Sequence, residues 1–182
     1  MNVQENHEII IEKCPFFEEV NGKLLEEVES IEYPLTNVTN VKAKQSDWYT
    51  KSANIKRIHS WVLDLIKEKY PDVTKHLIFP SMGKLEITNT WFARYGQGDH
   101  TVSHNHIPST FSWSYYVKCP SGSPPLIFTT SGKEINPVEG EVIIFPSFLN
   151  HHVSSNECDD RIVLAGNFTF VLTSNYYNYE GA

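Results

Sequence analysis

Residues 140–153 read GEVIIFPSFLNHHV, and the fold prediction rests first on this segment. A glycine precedes a fully apolar run, a proline ends the run, and His151 lies five residues after that proline. A short apolar run bounded by turn residues is typical of a buried strand. Such a strand can hold the side chains that follow it at the mouth of a barrel, where a loop leaves access for a ligand. Only one of His151 and His152 can point inward, because neighbouring side chains of an extended segment alternate.

Similar short runs of strand-forming residues surround this stretch, separated by clusters of glycine, proline and serine. The predicted strands cover residues 85–95, 112–118, 126–129, 140–146 and 161–172. Several short strands at near-regular spacing indicate a sandwich or a barrel, and about eight of them would make a jelly roll.

The first part of the chain has helical periodicity. Apolar residues recur at helical spacing over residues 16–28, with an early break at Asn21 and Gly22 as an alternative end. The clearest helix covers residues 52–70, with Ser52 as its cap and Pro71 as its stop. Residues 31–51 have no clear period and are predicted to be a loop.

These patterns predict an α+β, mainly β protein with N-terminal helices packed outside an antiparallel β core. The expected organisation has three parts: an N-terminal helical extension integral to the domain (1–80), a jelly-roll catalytic core (81–174) and a C-terminal aromatic tail (175–182).

Composition excludes some classes of partner. The formal net charge of −7 argues against nucleic acid, which binds a basic face. Cys14, Cys119 and Cys158 are odd in number and have no paired spacing, which favours a reducing compartment. No apolar run is long enough for a membrane span or placed as a signal peptide. We therefore expect a soluble cytoplasmic protein with no membrane or nucleic-acid partner.

Residues 98–108, GDHTVSHNHIP, contain three of the eight histidines. His104 and His106 are two residues apart, which places both imidazoles on the same face of an extended strand. Two neutral imidazoles make half of a transition-metal site and need one or two further ligands. For this pair alone, a histidine-rich surface loop is the simpler interpretation.

Arg161 opens the last predicted strand. Strand parity places it on one face with Val163, Ala165 and Asn167. A guanidinium on the inward face of an apolar strand is costly unless it meets an anion. That anion is either a neighbouring aspartate, Asp159 or Asp160, or the carboxylate of a ligand held by two hydrogen bonds.

Together, residues 91–167 resemble the iron(II)- and 2-oxoglutarate-dependent dioxygenases, and more narrowly a phage and bacterial branch of that family. The resemblance rests on residues 91–98 and on the stretches HNHIP, FSWSYYVKCPSGSPPLIF, PVEGEVIIFPSFLNHHV and RIVLAGNF. It implies a double-stranded β-helix (a cupin-like jelly roll) that uses Fe(II), 2-oxoglutarate and O₂. It also implies an oxygenase that hydroxylates a substrate and releases succinate and CO₂.

Residue roles follow from the resemblance. It implies that His104 is the first iron ligand, His151 the distal ligand, and Arg161 the anchor of the 2-oxoglutarate carboxylate. His106 stands where this family usually has a carboxylate, so the implied metal site has three histidines. Asp99 or His100 would serve instead if the strand were shifted.

Further contacts are expected along the barrel wall. Tyr95 and Asn167 are candidates for binding the co-substrate, and Trp113 and Tyr116 for contacting the primary substrate. Core packing is the simpler role for each aromatic residue.

Two other functions fit the same sequence. The histidine spacing also resembles that of cupins, which implies a three-histidine metal dioxygenase that uses no 2-oxoglutarate. A non-enzymatic jelly-roll binding module is the third alternative. The substrate is expected to be a small molecule or a peptide. A homodimer and, for a phage-encoded protein, a location in the host cytoplasm are open expectations.

Overall fold

The computed structural model describes residues 8–71 and 83–172. Within these ranges the chain forms two helices and eleven strands. The helices are α1 (Phe17–Ser30) and α2 (Ala53–Lys69). The strands are β1 (Ile10–Lys13), β2 (Val41–Lys42), β3 (Lys44–Gln45), β4 (Gly83–Tyr95), β5 (His100–His104), β6 (Phe111–Lys118), β7 (Leu126–Phe128), β8 (Lys133–Ile135), β9 (Glu141–Pro146), β10 (His151–Val153) and β11 (Arg161–Leu172).

The strands form two antiparallel sheets. The six-stranded sheet has the order β1-β9-β6-β11-β4-β3, and the five-stranded sheet has the order β2-β5-β10-β7-β8. The long strand β11 pairs with both β4 and β6, so it lies inside the larger sheet. The prediction of a mainly β protein with antiparallel sheets and helices is therefore confirmed.

Two apolar layers hold these elements together. One lies between the sheets and takes side chains from both, including Phe128 on β7 and Val163 on β11. The other lies between the helices and the outer face of the six-stranded sheet, and includes Leu164. The alternation of Val163 and Leu164 between the two layers follows from the two-residue period of a strand. As predicted, the helices pack outside the β core.

Helix α1 continues through Asn21 and Gly22, so the early break is wrong. The Asn21 amide donates to the Val117 carbonyl at 2.9 Å, and the Tyr115 hydroxyl donates to Asn21 Oδ1 at 2.5 Å. These bonds to β6 stabilise a helical asparagine whose intrinsic preference is for turns. Tertiary contacts therefore override the local signal.

Helix α2 follows the sequence closely. The Ser52 hydroxyl caps it by accepting from the Ile55 N–H at 3.1 Å. Its predicted apolar stripe faces the core, where Ile55, Ile58 and Val62 are fully buried. In the described part of the chain no helix is long and apolar enough to cross a membrane.

The turn before β9 requires glycine. Gly140 has φ +77°, and a Cβ there would lie 2.5 Å from Cγ of Phe17. The segment predicted as a loop, residues 31–51, contributes β2 and β3 as two short edge strands. The aromatic tail (175–182) lies outside the described residues.

Candidate metal centre

Three histidines meet at one end of the five-stranded sheet. His104 ends β5 and His151 begins β10, and the two residues are direct partners across these antiparallel strands. His106 lies in the loop after β5, where its N–H donates to the Ser147 carbonyl at 2.8 Å. One ligand atom from each of the three imidazoles lies within 4.8 Å of the others. This cluster is of the right size for one metal ion.

The strand ends at His104, so His104 and His106 do not share a strand face as the spacing predicted. Instead, the loop brings the His106 ring back to the other two. The ring centroids lie 4.8 Å apart for His104 and His106, 4.5 Å for His104 and His151, and 5.1 Å for His106 and His151. The alternative ligands Asp99 and His100 lie outside this cluster. Asp99 Oδ2 accepts from the Gly96 N–H, and His100 is exposed at the first position of β5.

The three imidazoles are neutral at physiological pH. Burial lowers the pKa of His104. Burial, then repulsion from the two other histidines, lowers the pKa of His106 to about 3. Burial and repulsion from His104 lower the pKa of His151 to about 4. A neutral imidazole has a free lone pair, which is the form that binds a metal ion.

Backbone carbonyls fix which nitrogen carries that lone pair. His104 Nδ1 lies 2.8 Å from the Val102 carbonyl oxygen, and His151 Nδ1 lies 3.0 Å from that of Leu149. Because a carbonyl oxygen can only accept, each Nδ1 carries the hydrogen and each Nε2 presents its lone pair. Such second contacts orient metal-binding histidines in proteins.

Aromatic side chains shield the cluster on the core side. The Phe145 ring lies 4.7 Å from that of His151, and the Trp91 ring lies 5.9 Å from that of His106. His151 is 5% exposed. His152 takes no part in the cluster, since its Nδ1 lies 3.1 Å from the Thr129 hydroxyl. The structure thus places His151, and not its neighbour, in the histidine cluster.

Arg161 lies inside the sandwich without a carboxylate. It is 1% exposed, and its Nε and Nη1 atoms find no hydrogen-bond partner among the described residues. Asp160 pairs instead with Arg94 and Lys118, each at 2.5 Å. Asp159 Oδ1 accepts from the Gln97 N–H at 3.3 Å. Neither aspartate therefore supplies the anion that Arg161 needs.

Two predicted aromatic residues surround this guanidinium. Its Cζ lies 4.9 Å from the Tyr95 ring centroid and 5.7 Å from that of Tyr116. The Tyr116 hydroxyl is buried and also lacks a partner within the described residues. A buried cation with two unsatisfied N–H groups beside an unsatisfied hydroxyl makes a site for a carboxylate.

Trp113, predicted to contact the primary substrate, and Asn167, predicted to contact the co-substrate, do not lie at this guanidinium. Trp113 lies in the helix-facing layer, three residues along β6 from Tyr116 and therefore on the opposite face. We do not retain Trp113 as a substrate contact. Asn167 lies six residues along β11 from Arg161 and lines a cavity beside His106 instead.

That cavity has a volume of about 320 Å³ and opens to solvent next to the histidine cluster. Asn167 Oδ1 accepts from the Ser112 hydroxyl at 2.8 Å, and Ser112 in turn contacts the Ser147 hydroxyl at 2.8 Å. These buried bonds fix the Asn167 amide. Its Nδ2 lies 3.5 Å from Asn89 Oδ1, so one N–H donates to that side chain and the other is the donor that it can offer to a molecule in the cavity.

Sequence reasoning missed several residues of this site. Trp48 and His106 together line two cavities, the one described above and a neighbouring one. The Trp48 ring packs edge-on against Trp91, with the ring centroids 4.9 Å apart. Asn89 faces Asn167 across β4 and β11. The sequence signal for Trp48 was weak because it lies in a segment without periodicity. Asn89 could have been found from the predicted strand 85–95, whose parity allows it to face inward.

Comparisons with known proteins come from structure alone. No protein-family model matches the sequence, and no curated protein matches it. A viral collagen prolyl hydroxylase from Paramecium Bursaria Chlorella virus-1, solved as a 2OG complex, has a TM-score of 0.64 and 17% identity. The alignment covers 90% of this chain and 96% of that chain.

Two further hydroxylases share the fold. A prolyl-4-hydroxylase of Pseudomonas putida gives a TM-score of 0.60 at 17% identity, covering 90% of this chain and 93% of that one. A Trichoplax adhaerens prolyl hydroxylase, solved with a hypoxia inducible factor peptide fragment, gives 0.63 at 17% identity, covering 88% and 83%. The fold of this chain is therefore the fold of these hydroxylases.

Proposed function

We propose that this protein is an Fe(II)- and 2-oxoglutarate-dependent oxygenase that hydroxylates its substrate and forms succinate and CO₂. One observation carries the proposal: a cluster of three neutral histidines shares the core of a β sandwich with a buried arginine that has no anion. The two facing antiparallel sheets support the assignment of a double-stranded β-helix.

The histidine cluster fits a ferrous ion. Imidazole nitrogen suits iron as well as zinc, copper and nickel, and three ligands on one side leave other coordination positions open. His104, His106 and His151 would hold the ion through nitrogen. All three ligands are neutral, so the site keeps the full charge of the metal, which favours binding of an anionic chelating ligand.

The surroundings of Arg161 fit a dicarboxylate. The guanidinium would bind the distal carboxylate through its two unsatisfied N–H groups, and the Tyr116 hydroxyl would donate to the same group. Tyr95 packs against the guanidinium and hydrogen-bonds the Thr101 hydroxyl at 2.8 Å, which keeps the wall of this site rigid. A carboxylate there removes the cost of an unpaired buried charge.

When bound, Fe(II) and 2-oxoglutarate would supply the oxidative chemistry that hydroxylates a C–H bond. The chain's own residues bind and orient. Phe145 and Trp91 exclude water from the buried side of the histidines. Asn167 offers its remaining amide N–H on the open side, where a substrate can lie beside His106. This substrate is a small molecule or a peptide. The three free cysteines suit a reducing cytoplasm as the location of the protein.

A second candidate is a three-histidine metal dioxygenase that uses no 2-oxoglutarate. The observation that favours it is His106, an imidazole where the proposed family usually has a carboxylate. This candidate leaves Arg161 without a role, since no other buried anion faces it within the described residues.

Turnover of 2-oxoglutarate tests the proposal. Purified protein with Fe(II), ascorbate and O₂ is expected to convert 2-oxoglutarate to succinate slowly, and Arg161→Met is expected to abolish this. Arg57→Met is the matched control, since Arg57 is an exposed arginine paired with Glu19. Succinate formation that survives in Arg161→Met would overturn the proposal. Metal binding without 2-oxoglutarate binding would favour the second candidate.

A further inference from the structure

A second cavity lies between β4 and the beginning of α2, next to the cavity beside His106 that Asn167 lines. It encloses about 350 Å³. Its walls are largely apolar and include Trp48, Ile55 and Ile87. Ile55 is fully buried, so this wall belongs to the rigid core. The cavity is large enough for an aromatic ring system.

Tyr49 lines both cavities. Its backbone is held in place, because the Thr90 N–H donates to the Trp48 carbonyl at 2.9 Å and the Thr50 N–H donates to the Thr90 carbonyl at 3.1 Å. The side chain itself is 66% exposed. The two cavities also share Trp48 and Asn89. The two cavities therefore adjoin at Trp48, Tyr49 and Asn89, and a single ligand that occupied both would pass these residues.

The second cavity is basic, on a chain whose net charge is −7. Lys51 and Lys56 line it, and neither forms an ion pair with a described residue. No aspartate or glutamate is among its described lining residues. The neighbouring Arg57, by contrast, pairs with Glu19 at 2.8 Å. Lys51 and Lys56 are both exposed, and two ammonium groups that form no ion pair with the described residues are, beside an apolar wall, complementary to an apolar anion.

We propose that this cavity binds an aromatic or aliphatic group carrying a negative charge, and that this group is the distal part of the substrate. That the bound group is the distal part of the substrate rests on the proposed function, because the reacting part of the same molecule would then lie beside His106. The apolar body would lie against Trp48 and Ile87, and the anion would lie between Lys51 and Lys56. Tyr49 would cover the connection between the two parts.

Two dyes with the same ring system test the cavity. Anilinonaphthalene sulfonate is an apolar anion, and N-phenylnaphthylamine is its neutral counterpart. The double variant Lys51→Gln/Lys56→Gln is expected to weaken binding of the sulfonate roughly threefold to tenfold, as the loss of two partly exposed charge pairs would do, and to leave the neutral dye unaffected. Tyr49→Ala is expected to weaken both dyes.

The matched control is Lys44→Gln/Lys133→Gln, which removes the same charge from two exposed lysines elsewhere on the surface. It should leave sulfonate binding unchanged. Equal weakening by the control, or no weakening by Lys51→Gln/Lys56→Gln, would overturn the assignment of the cavity.

Manganese tests the connection to the metal centre. With Mn(II) added, the nuclear resonances of the bound sulfonate dye are expected to broaden, and His104→Ala/His151→Ala should remove the broadening while dye binding persists. Absence of Mn(II) binding would count against the proposed function and leave the cavity assignment intact. Mn(II) binding without broadening of the bound dye would show that the cavity is no part of the substrate site.

Discussion

His104 and His151 lie directly opposite each other on β5 and β10, although 47 residues separate them in the sequence. Opposite residues of antiparallel strands have their side chains close together on the same face. Both imidazoles also donate Nδ1–H to a carbonyl two residues earlier. The pairing of the two strands thus brings the two imidazoles together without a metal ion.

Removing either member of this pair should abolish metal binding. His104→Ala and His151→Ala are each expected to weaken Fe(II) or Co(II) binding more than about a hundredfold. Losing a hydrogen-bond partner of a metal-binding histidine lowers metal affinity by about 10–100-fold, and losing the histidine itself should cost more. The measurement is a metal titration under anaerobic conditions. His152→Ala is the control, because that ring lies outside the cluster and bonds Thr129. Equal losses in all three variants would contradict the ligand assignment.

His106 should bind the metal as well. His106→Ala is expected to weaken metal binding, and His106→Asp to restore it to at least the original affinity because a carboxylate adds a negative charge beside the cation. His100→Ala, on an exposed residue at the start of β5, should change nothing. The same metal titration distinguishes these cases. Unchanged affinity in His106→Ala would reduce the site to two histidines.

Arg161 should lower the stability of the protein when no co-substrate is bound. Replacing a buried unpaired charge by an apolar residue of similar size removes its desolvation penalty, so Arg161→Met is expected to raise the free energy of unfolding by about 1–4 kcal/mol. Adding 2-oxoglutarate with Mn(II) should raise the Tm of the unmodified protein and leave that of Arg161→Met unchanged.

Urea denaturation and thermal scans measure both effects. Arg57→Met should keep the Tm increase on adding 2-oxoglutarate. A less stable Arg161→Met protein would mean that the guanidinium has an anionic partner in the free state.

His59 should make the protein less stable in mild acid. Its ring contacts Trp113 and the Thr90 hydroxyl, and burial lowers its pKa from 6.5 to about 4. Between these two values the unfolded chain binds a proton that the folded protein does not. Stability therefore falls as the pH falls from 6.5 to 4, by about 3 kcal/mol in total for this group.

His59→Gln removes this contribution while leaving the histidine cluster in place. Urea denaturation across that range should show a smaller loss of stability in the variant than in the unmodified protein. Parallel curves for the two proteins would contradict the pKa of His59.

Strand parity predicted much of this molecule from sequence. It placed Arg161 and Val163 on the inward face, and the structure shows both there. The same rule, applied to β6, separates Trp113 from Tyr116. Residues three positions apart on a strand point to opposite faces of the sheet. The sequence places both along the barrel wall, where substrate contacts are expected. Parity was the better guide.

Other features depend on contacts that are distant in sequence. Trp48 and Tyr49 have no periodicity, because their backbone is held by β4 at Thr90 and not by their own neighbours. The continuation of α1 through Asn21 depends on β6. His106 reaches the metal cluster from a loop whose path is set by Ser147. Local patterns contain none of these partners.

The order of the five-stranded sheet gives the histidine pair a mechanical consequence. Strands β7 and β8 join β2 and β5 only through β10, a strand of three residues. A metal ion held by His104 and His151 would cross-link the two halves of this sheet at their shared boundary. Loss of the ion would then loosen β7 and β8 first, starting beside His151, whose direct partner on β7 is Phe128. Amide hydrogen exchange at Phe128 would accelerate before exchange in β11.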